Sequence, residues 1–306
     1  MKEVLDQLAV SPSDIVVDGT VGGAGHFREM LSLLGSEGMI VGIDADAEAL
    51  ERAREVVRAD TRTDRPRVHL IEDNFRNLDR ILDRLDIGTA DKVLLDLGWS
   101  GFQLSGGRGF SFQVDEPLLM TYGSPEAGKT AADLVNSMSE TELADLIYEY
   151  GEERDSRRIA KAIVEARRKE RILTTAQLSD VIAKAVRSRG KTNPATRTFQ
   201  ALRIAVNDEF GALKDGMRAA FERLAPGGRL AIISFHSTED RMVKEFMRAQ
   251  AAEGSGALIT KKPLAPSASE LAKNRRARSA KLRVIEKLPM FAAASTLINA
   301  VPHAYA

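Results

Sequence analysis

Four short apolar runs, each closed by a carboxylate, limit what this chain can fold into. They are Ile15–Val17 before Asp18, Met39–Ile43 before Asp44, Val68–Ile71 before Glu72, and Val93–Leu95 before Asp96. Runs of this kind suit strands buried on both faces, the usual state in a parallel sheet. Between them, 26–34, 47–59 and 78–85 have helical character, and Gly35 stands where a C-terminal cap would close the first. Strand–helix alternation with short connections predicts a parallel sheet with helices on both faces. Ligands of such sheets bind outside the carboxyl ends of the strands, so Asp18, Asp44 and Asp96 are expected at the binding rim.

After the fourth strand (Lys92–Leu95) the alternation stops. From about Gly106 to Ile204 there are loops and helices but no buried strand. Helical spacing covers Ala131–Tyr150, Ser156–Lys169 and Thr175–Arg187, with Ser139 and Thr174 or Thr175 as candidate caps. The α/β pattern then returns. A helix over Phe210–Leu224 precedes Pro226-Gly227-Gly228, followed by a fifth strand at Arg229–Ser234 and a helix at Thr238–Ala251. Weaker strand candidates, Leu258–Lys261 and Leu282–Glu286, flank a basic loop. The economical division is an α/β domain made of residues 1–105 and 207–306, interrupted by a helical insert, 106–206, that would recognise substrate.

Composition excludes several classes. Cysteine is absent, so there are no disulfides or thiolate metal sites, and four histidines make a histidine-rich metal centre a poor expectation. No signal pattern and no apolar run of about 18 residues is present, so a cytoplasmic protein without a membrane span is expected. The 44 basic and 44 acidic residues cancel overall but not locally: Gly151–Arg203 holds 14 Lys/Arg against 6 Asp/Glu. A second cluster is Arg275, Arg276, Arg278, Lys281 and Arg283. Two basic patches on a neutral chain fit a polyanionic partner, or simply solvated helix faces.

The loop Asp18-Gly19-Thr20-Val21-Gly22-Gly23-Ala24-Gly25-His26 joins a strand to a helix, where backbone N–H groups can approach a ligand. Asp44 ends the next strand, 19 residues after Gly25, where a carboxylate can accept ribose hydroxyls. This much fits NAD, FAD or S-adenosylmethionine. A carboxylate at Asp18 would repel a pyrophosphate and welcome a sulfonium or ammonium, which favours S-adenosylmethionine.

Seven segments together resemble the bacterial small-subunit ribosomal RNA cytosine-N4 methyltransferase family: DGTVGGAGHF (18–27), LLDLGWSGFQL (94–104), RGFSF (108–112), YGEER (150–154), NPATRTFQALRIAVNDE (193–209), GGRLAIISFHSTEDR (227–241) and NRRARSAKLR (274–283). They stand in the family's order and span nearly the whole chain. The resemblance implies a class I S-adenosylmethionine-dependent methyltransferase fold, a Rossmann-like, mostly parallel sheet with a helical insertion after the fourth strand. It implies cofactor contacts at Ala24, Gly25, His26, Asp44, Phe75, Asp96 and Gln103, with no metal. The sequence departs from the family pattern at Ala24, where glycine is usual, at Trp99, Gly101 and Phe102, and within Asp115–Thr121, which lacks a second aspartate and an arginine.

The implied reaction methylates the exocyclic N4 of a cytidine in small-subunit ribosomal RNA, free or assembled. That nitrogen's lone pair is delocalised into the ring, so catalysis needs positioning and a fixed hydrogen-bond acceptor. Asp96 is the first candidate acceptor, with Ser234, His236 and Ser237 on the same rim. His236 is equally open to a structural role. Trp99, Phe102, Phe110 and Phe112 are candidates either for stacking on the base or for packing between domain and insert. Arg154, Arg157, Arg158, Arg197 and Arg203 are candidate phosphate contacts. Arg157 and Arg158 are also open to pairing with Glu152 or Glu153. Two alternatives stand beside this reading: an RNA-binding ribosome assembly factor with a vestigial cofactor site, and a nicotinamide-dependent oxidoreductase. The oligomeric state is left open, a homodimer included.

Overall fold

The computed structural model describes residues 1–98, 107–122, 128–186 and 193–289. The first part runs α1 (Lys2–Leu8), β1 (Ile15–Asp18), α2 (Gly25–Leu33), β2 (Met39–Asp44), α3 (Ala47–Ala59), β3 (Arg67–Glu72), α4 (Leu78–Arg84) and β4 (Ala90–Asp96). Five helices follow: α5 (Ala131–Ser137), α6 (Glu140–Gly151), α7 (Ser156–Arg167), α8 (Thr175–Ala185) and α9 (Ala195–Asn207). The chain then returns to the sheet through α10 (Glu209–Glu222), β5 (Leu224–Ser234), α11 (Ser237–Ala252), β6 (Gly256–Leu258), α12 (Ala268–Lys273) and β7 (Lys281–Lys287).

The seven strands form one sheet in the order β3-β2-β1-β4-β5-β7-β6. Pairing is parallel from β3 through β5, while β7 runs antiparallel to both β5 and β6. The order reverses between β1 and β4, so a crevice opens at the carboxyl ends of these strands.

Successive residues of a strand point to opposite faces, and the core divides accordingly. Val17, Val41, Val93 and Leu95 pack with Leu78, Ile81, Leu213 and Met217 from α4 and α10. Val16, Ile40 and Leu94 pack on the other face with Leu8, Phe27, Met30 and Leu50 from α1, α2 and α3. A third apolar cluster, from Leu118 to Leu202, is built within α5–α9 and their flanking loops.

Several elements differ from the sequence expectation. Ala131–Tyr150 is two helices, because Thr130 and Ser139 each form a capping box, with Asp133 and Glu142. Helix α9 lies in the segment where no helix was assigned; its N-terminal Pro194 suits a helix start. Thr174 caps α8 as expected. The sixth strand is Gly256–Leu258, earlier in the chain than expected. Among the described residues no helix is long and apolar enough to cross a membrane.

The Pro226-Gly227-Gly228 stretch falls inside β5, not before it. Ala90 pairs with Leu224 and Lys92 with Arg229, so the extra residues bulge out of β5. A Cβ on Gly228 would lie 2.8 Å from the Ala225 carbonyl oxygen and 2.9 Å from that of Asp91. Gly228→Ala is therefore expected to cost about 1–3 kcal/mol, read as a lowered urea midpoint; an unchanged midpoint would show that the bulge relaxes freely.

Candidate active site

At the β1/β4 crevice lies a cavity of about 700 Å³ whose wall includes Gly19–Gly23, Gly25, His26, Asp44, Phe75 and Asp96. Of the carboxylates that end the apolar runs, Asp44 and Asp96 stand in this wall. Gly19 is required here by close approach, since a Cβ would lie 2.5 Å from Leu95 Cδ2 and 3.3 Å from Phe75 Cβ. Ala24 starts α2 in the left-handed region, at φ 58°, a conformation glycine adopts with less strain.

Asp44 is fixed from two sides. Gly22 N–H donates to Oδ2 at 2.8 Å and Asp46 N–H to Oδ1 at 2.9 Å. Each oxygen keeps a second acceptor direction for a ribose hydroxyl. Burial nonetheless holds the Asp44 carboxyl above its ordinary range, against the lowering effect of those two N–H groups. Phe75 opens a 3-10 turn, Phe75–Asn77, and its ring occupies the space left by Gly216 of α10.

The other end of the cavity is more acidic. Asp96 N–H donates to Thr20 Oγ1 at 2.6 Å, and its Oδ2 lies 3.4 Å from His26 Nδ1. Asp18 is fully buried. Asp18 Oδ2, Asp96 Oδ1 and His26 Nε2 are buried atoms with no hydrogen-bond partner. Burial pushes the Asp18 carboxyl up to about 7, partly offset by His26. Burial pulls the His26 imidazole down, but Asp96 and Asp18 outweigh it and hold it above its ordinary value. Unpaired buried acceptors are costly unless a ligand completes them. The wall carboxylates Asp44 and Asp96 fit a ligand that brings positive charge and hydrogen-bond donors, such as the sulfonium and the α-ammonium of S-adenosylmethionine, and disfavour a pyrophosphate.

The structure separates the sequence candidates. Gly25, His26, Asp44, Phe75 and Asp96 line the crevice cavity, whereas Ala24, 1% exposed at the start of α2, is not in its wall. Gln103, Trp99 and Phe102 lie outside the described residues. Ser234 is 1% exposed, and neither it nor His236 is in the cavity wall. His236 caps α11: its Nδ1 accepts from Glu239 N–H at 3.3 Å, and Nε2 lies 3.0 Å from Glu239 Oε1. Its structural reading is the one this geometry supports. Phe110 stacks on Tyr122 with centroids 5.6 Å apart, and Phe112 meets Phe199 edge-on at 5.3 Å, so both pack within the protein.

Arg203 requires a correction. It is not a free phosphate contact but a buried partner of Glu209, bonded through Nε at 2.7 Å and Nη2 at 2.9 Å. Arg197 reaches Glu153 at 3.8 Å and the Glu152 carbonyl oxygen at 3.2 Å, and Arg158 lies 3.8 Å from Asp155, not from Glu152 or Glu153. Arg154 and Arg157 are exposed and enter no ion pair among the described residues.

Sequence reasoning missed a second polar wall made by Tyr122, Asn207, Glu209 and Glu239. Tyr122 O–H donates to Glu209 at 2.8 Å, and Asn207 Oδ1 accepts from Tyr122 N–H at 2.9 Å. Burial would raise the Glu239 carboxyl, yet His236 and Arg203 hold it below its usual range. Also missed was the buried pair Arg108–Asp46, at 2.7 Å, which ties the segment before α5 to the loop after β2. The available signal was position: Arg108 lies in the RGFSF segment, and Asn207 and Glu209 close the 193–209 segment.

A mostly parallel seven-stranded sheet with one antiparallel strand near its edge, and a crevice lined by Asp44 and Asp96 at the β1/β4 reversal, define a class I methyltransferase. Residues 1–288 match the model of the MraW methylase family. Ribosomal RNA small subunit methyltransferase H of Deinococcus radiodurans is 50% identical over 289 residues, covering 93% of this chain and 87% of that protein. The proteins of the same name from Deinococcus deserti and Syntrophotalea carbinolica are 48% and 46% identical, each covering 94% of this chain and 91% and 96% of their own lengths. The chain belongs to the MraW methylase family.

The three raised groups make the ligand-free protein sensitive to pH. Asp18, Asp44 and His26 all bind protons more tightly folded than unfolded. Their contribution is complete at low pH and is lost as pH rises through the folded values. For Asp18 this window runs from 3.8 to about 7. Asp18→Asn is expected to be more stable than the parent at pH 8, with the difference vanishing near pH 4 in urea unfolding. Equal stability at both pH values would contradict the assignment.

Proposed function

We propose that this chain methylates the exocyclic N4 of a cytidine in small-subunit ribosomal RNA, using S-adenosylmethionine as donor. The carrying observation is the pair of orphaned buried atoms on His26 and Asp96, both residues of the cavity wall that also holds the ribose-type carboxylate Asp44. The names of the 46–50% identical relatives support the RNA as substrate. Such a substrate puts the enzyme in the cytoplasm.

When bound, S-adenosylmethionine supplies an electrophilic methyl group on a positively charged sulfur. Asp44 would hold the ribose, Phe75 would lie near the adenine, and the loop at Ala24, Gly25 and His26 would border the cofactor. Gln103 belongs to the same set. Asp96 would accept a hydrogen bond from the cytosine amino group and so fix the orientation of its nitrogen. Its Thr20 contact fixes the backbone from which that carboxylate projects. A base that undergoes this chemistry must leave its stack, and the cavity extends beyond the cofactor-binding loop to the wall of Tyr122, Asn207, Glu209 and Glu239. Residues 106–206 serve as the substrate-recognition domain, with the exposed Arg154 and Arg157 as candidate phosphate contacts and Arg158 and Arg197 beside them.

Asp96→Asn is expected to lose about 100-fold or more in turnover at saturating S-adenosylmethionine. The measurement is labelled methyl transfer to unmodified small subunits, with N4-methylcytidine separated after nucleoside digestion. Near-parental turnover removes Asp96 from the chemistry. Tight cofactor binding with no label in the parental protein would favour the assembly-factor alternative. Thermal protection by NADH and not by S-adenosylhomocysteine would favour the oxidoreductase.

A further inference from the structure

The second basic cluster divides sharply. Lys281 and Arg283 sit on β7 and both pair with Asp240, at 3.1 and 2.7 Å. Arg283 is buried. Both charges are paired with Asp240. Arg275, Arg276 and Arg278 are all exposed and enter no ion pair or side-chain hydrogen bond among the described residues.

These three stand on a 3-10 helix, Arg275–Ser279. Ala277, 8% exposed, is its buried anchor. In a 3-10 helix residues three apart lie on one edge, so Arg275 and Arg278 share an edge about 6 Å apart. Arg276 belongs to the cavity wall together with Leu264, Pro266, Asn274 and Ala277. The cations therefore flank the cavity that holds Asp96, Asp44 and Glu239.

This placement is electrostatically informative. The cavity is lined by carboxylates, which repel a polyanion. A nucleic-acid strand can deliver one base into such a cavity only if its phosphates are held by cations outside the acidic interior. We infer that Arg275, Arg276 and Arg278 form a phosphate grip that binds the substrate RNA strand at the cavity mouth, beside the nucleotide to be methylated. This rests on the proposed RNA substrate. It assigns the strand contact nearest the chemistry to the segment after α12, rather than to the basic helices of 151–203.

The test measures binding of unmodified small-subunit ribosomal RNA, made by transcription, across a salt series. Two variants of the full chain are compared with the parent: Arg275→Gln/Arg276→Gln/Arg278→Gln, and the same three positions changed to Lys. Each phosphate contact to a single strand contributes about 0.7 to the slope of log affinity against log salt. The glutamine variant is expected to bind RNA at least about 10-fold more weakly at low salt, with a slope shallower by about 2. Its affinity for S-adenosylhomocysteine stays parental. The lysine variant recovers most of the RNA affinity, because a point charge suffices for a phosphate, and this shows that a loss in the glutamine variant is not misfolding. Parental RNA affinity and slope in the glutamine variant overturn the grip while leaving the RNA methyltransferase reading intact. Loss of S-adenosylhomocysteine affinity with RNA binding unchanged overturns it in favour of a cofactor contact. Absence of RNA binding by the parent overturns both.

Discussion

Two carboxylates, Asp44 and Asp96, and the His26 imidazole converge on one cavity, with Asp18 fully buried beside them, because β1 is paired on one side with β2 and on the other with β4. Parallel pairing aligns the carboxyl ends: Asp18 stands opposite Gly42 and Leu94, and Asp44 and Asp96 follow a little further along their own strands. Nothing in the apolar packing requires acidic residues there. Burying them raises Asp18 and Asp44 and leaves atoms on Asp18, Asp96 and His26 without partners. The site is thus incomplete by itself, and the group that completes it must bring donors and positive charge.

The rest of the structure holds that arrangement in place. The two apolar clusters on the faces of the sheet fix β1, β2 and β4 relative to one another, and Gly19 lets the loop after β1 press against Leu95 and Phe75. The helical part is joined to the site by buried polar contacts: Arg108 bonds both Asp46 and the Tyr122 carbonyl oxygen, and Glu209 takes both Tyr122 and Arg203. Removing one partner of a buried ion pair typically costs about 3–5 kcal/mol, which makes such pairs effective fixtures of geometry. The cofactor side and the helical side therefore meet through charges that have little freedom to move.

The strands and the acidic rim were legible because burial on two faces leaves a continuous apolar run, and the run ends where the carboxylate begins. The caps at Ser139 and Thr174 were legible for a similar reason: a side chain three residues from its partner is a local signal. What was not legible depends on long-range pairing. Arg108 and Asp46 are 62 residues apart, and Tyr122 and Glu209 are 87 apart. Arg203 added to a basic count, but its charge is neutralised by Glu209 six residues on, inside the protein. The β5 bulge read as a turn because Pro-Gly-Gly carries the same local signature in either setting, and only the pairing of Lys92 with Arg229 distinguishes them.

The central claim is that the acidic crevice binds a cation. A positive ligand lowers the proton affinity of nearby carboxylates, including Asp18 buried beside the cavity wall, so binding expels protons where Asp18 is still protonated. The direct measurement is titration calorimetry with S-adenosylmethionine at about pH 6.5, in two buffers of different ionisation enthalpy. Net proton release on binding, declining towards pH 8 as Asp18 loses its proton without help, is the expected result. Proton uptake, or no dependence on the buffer, would contradict the account.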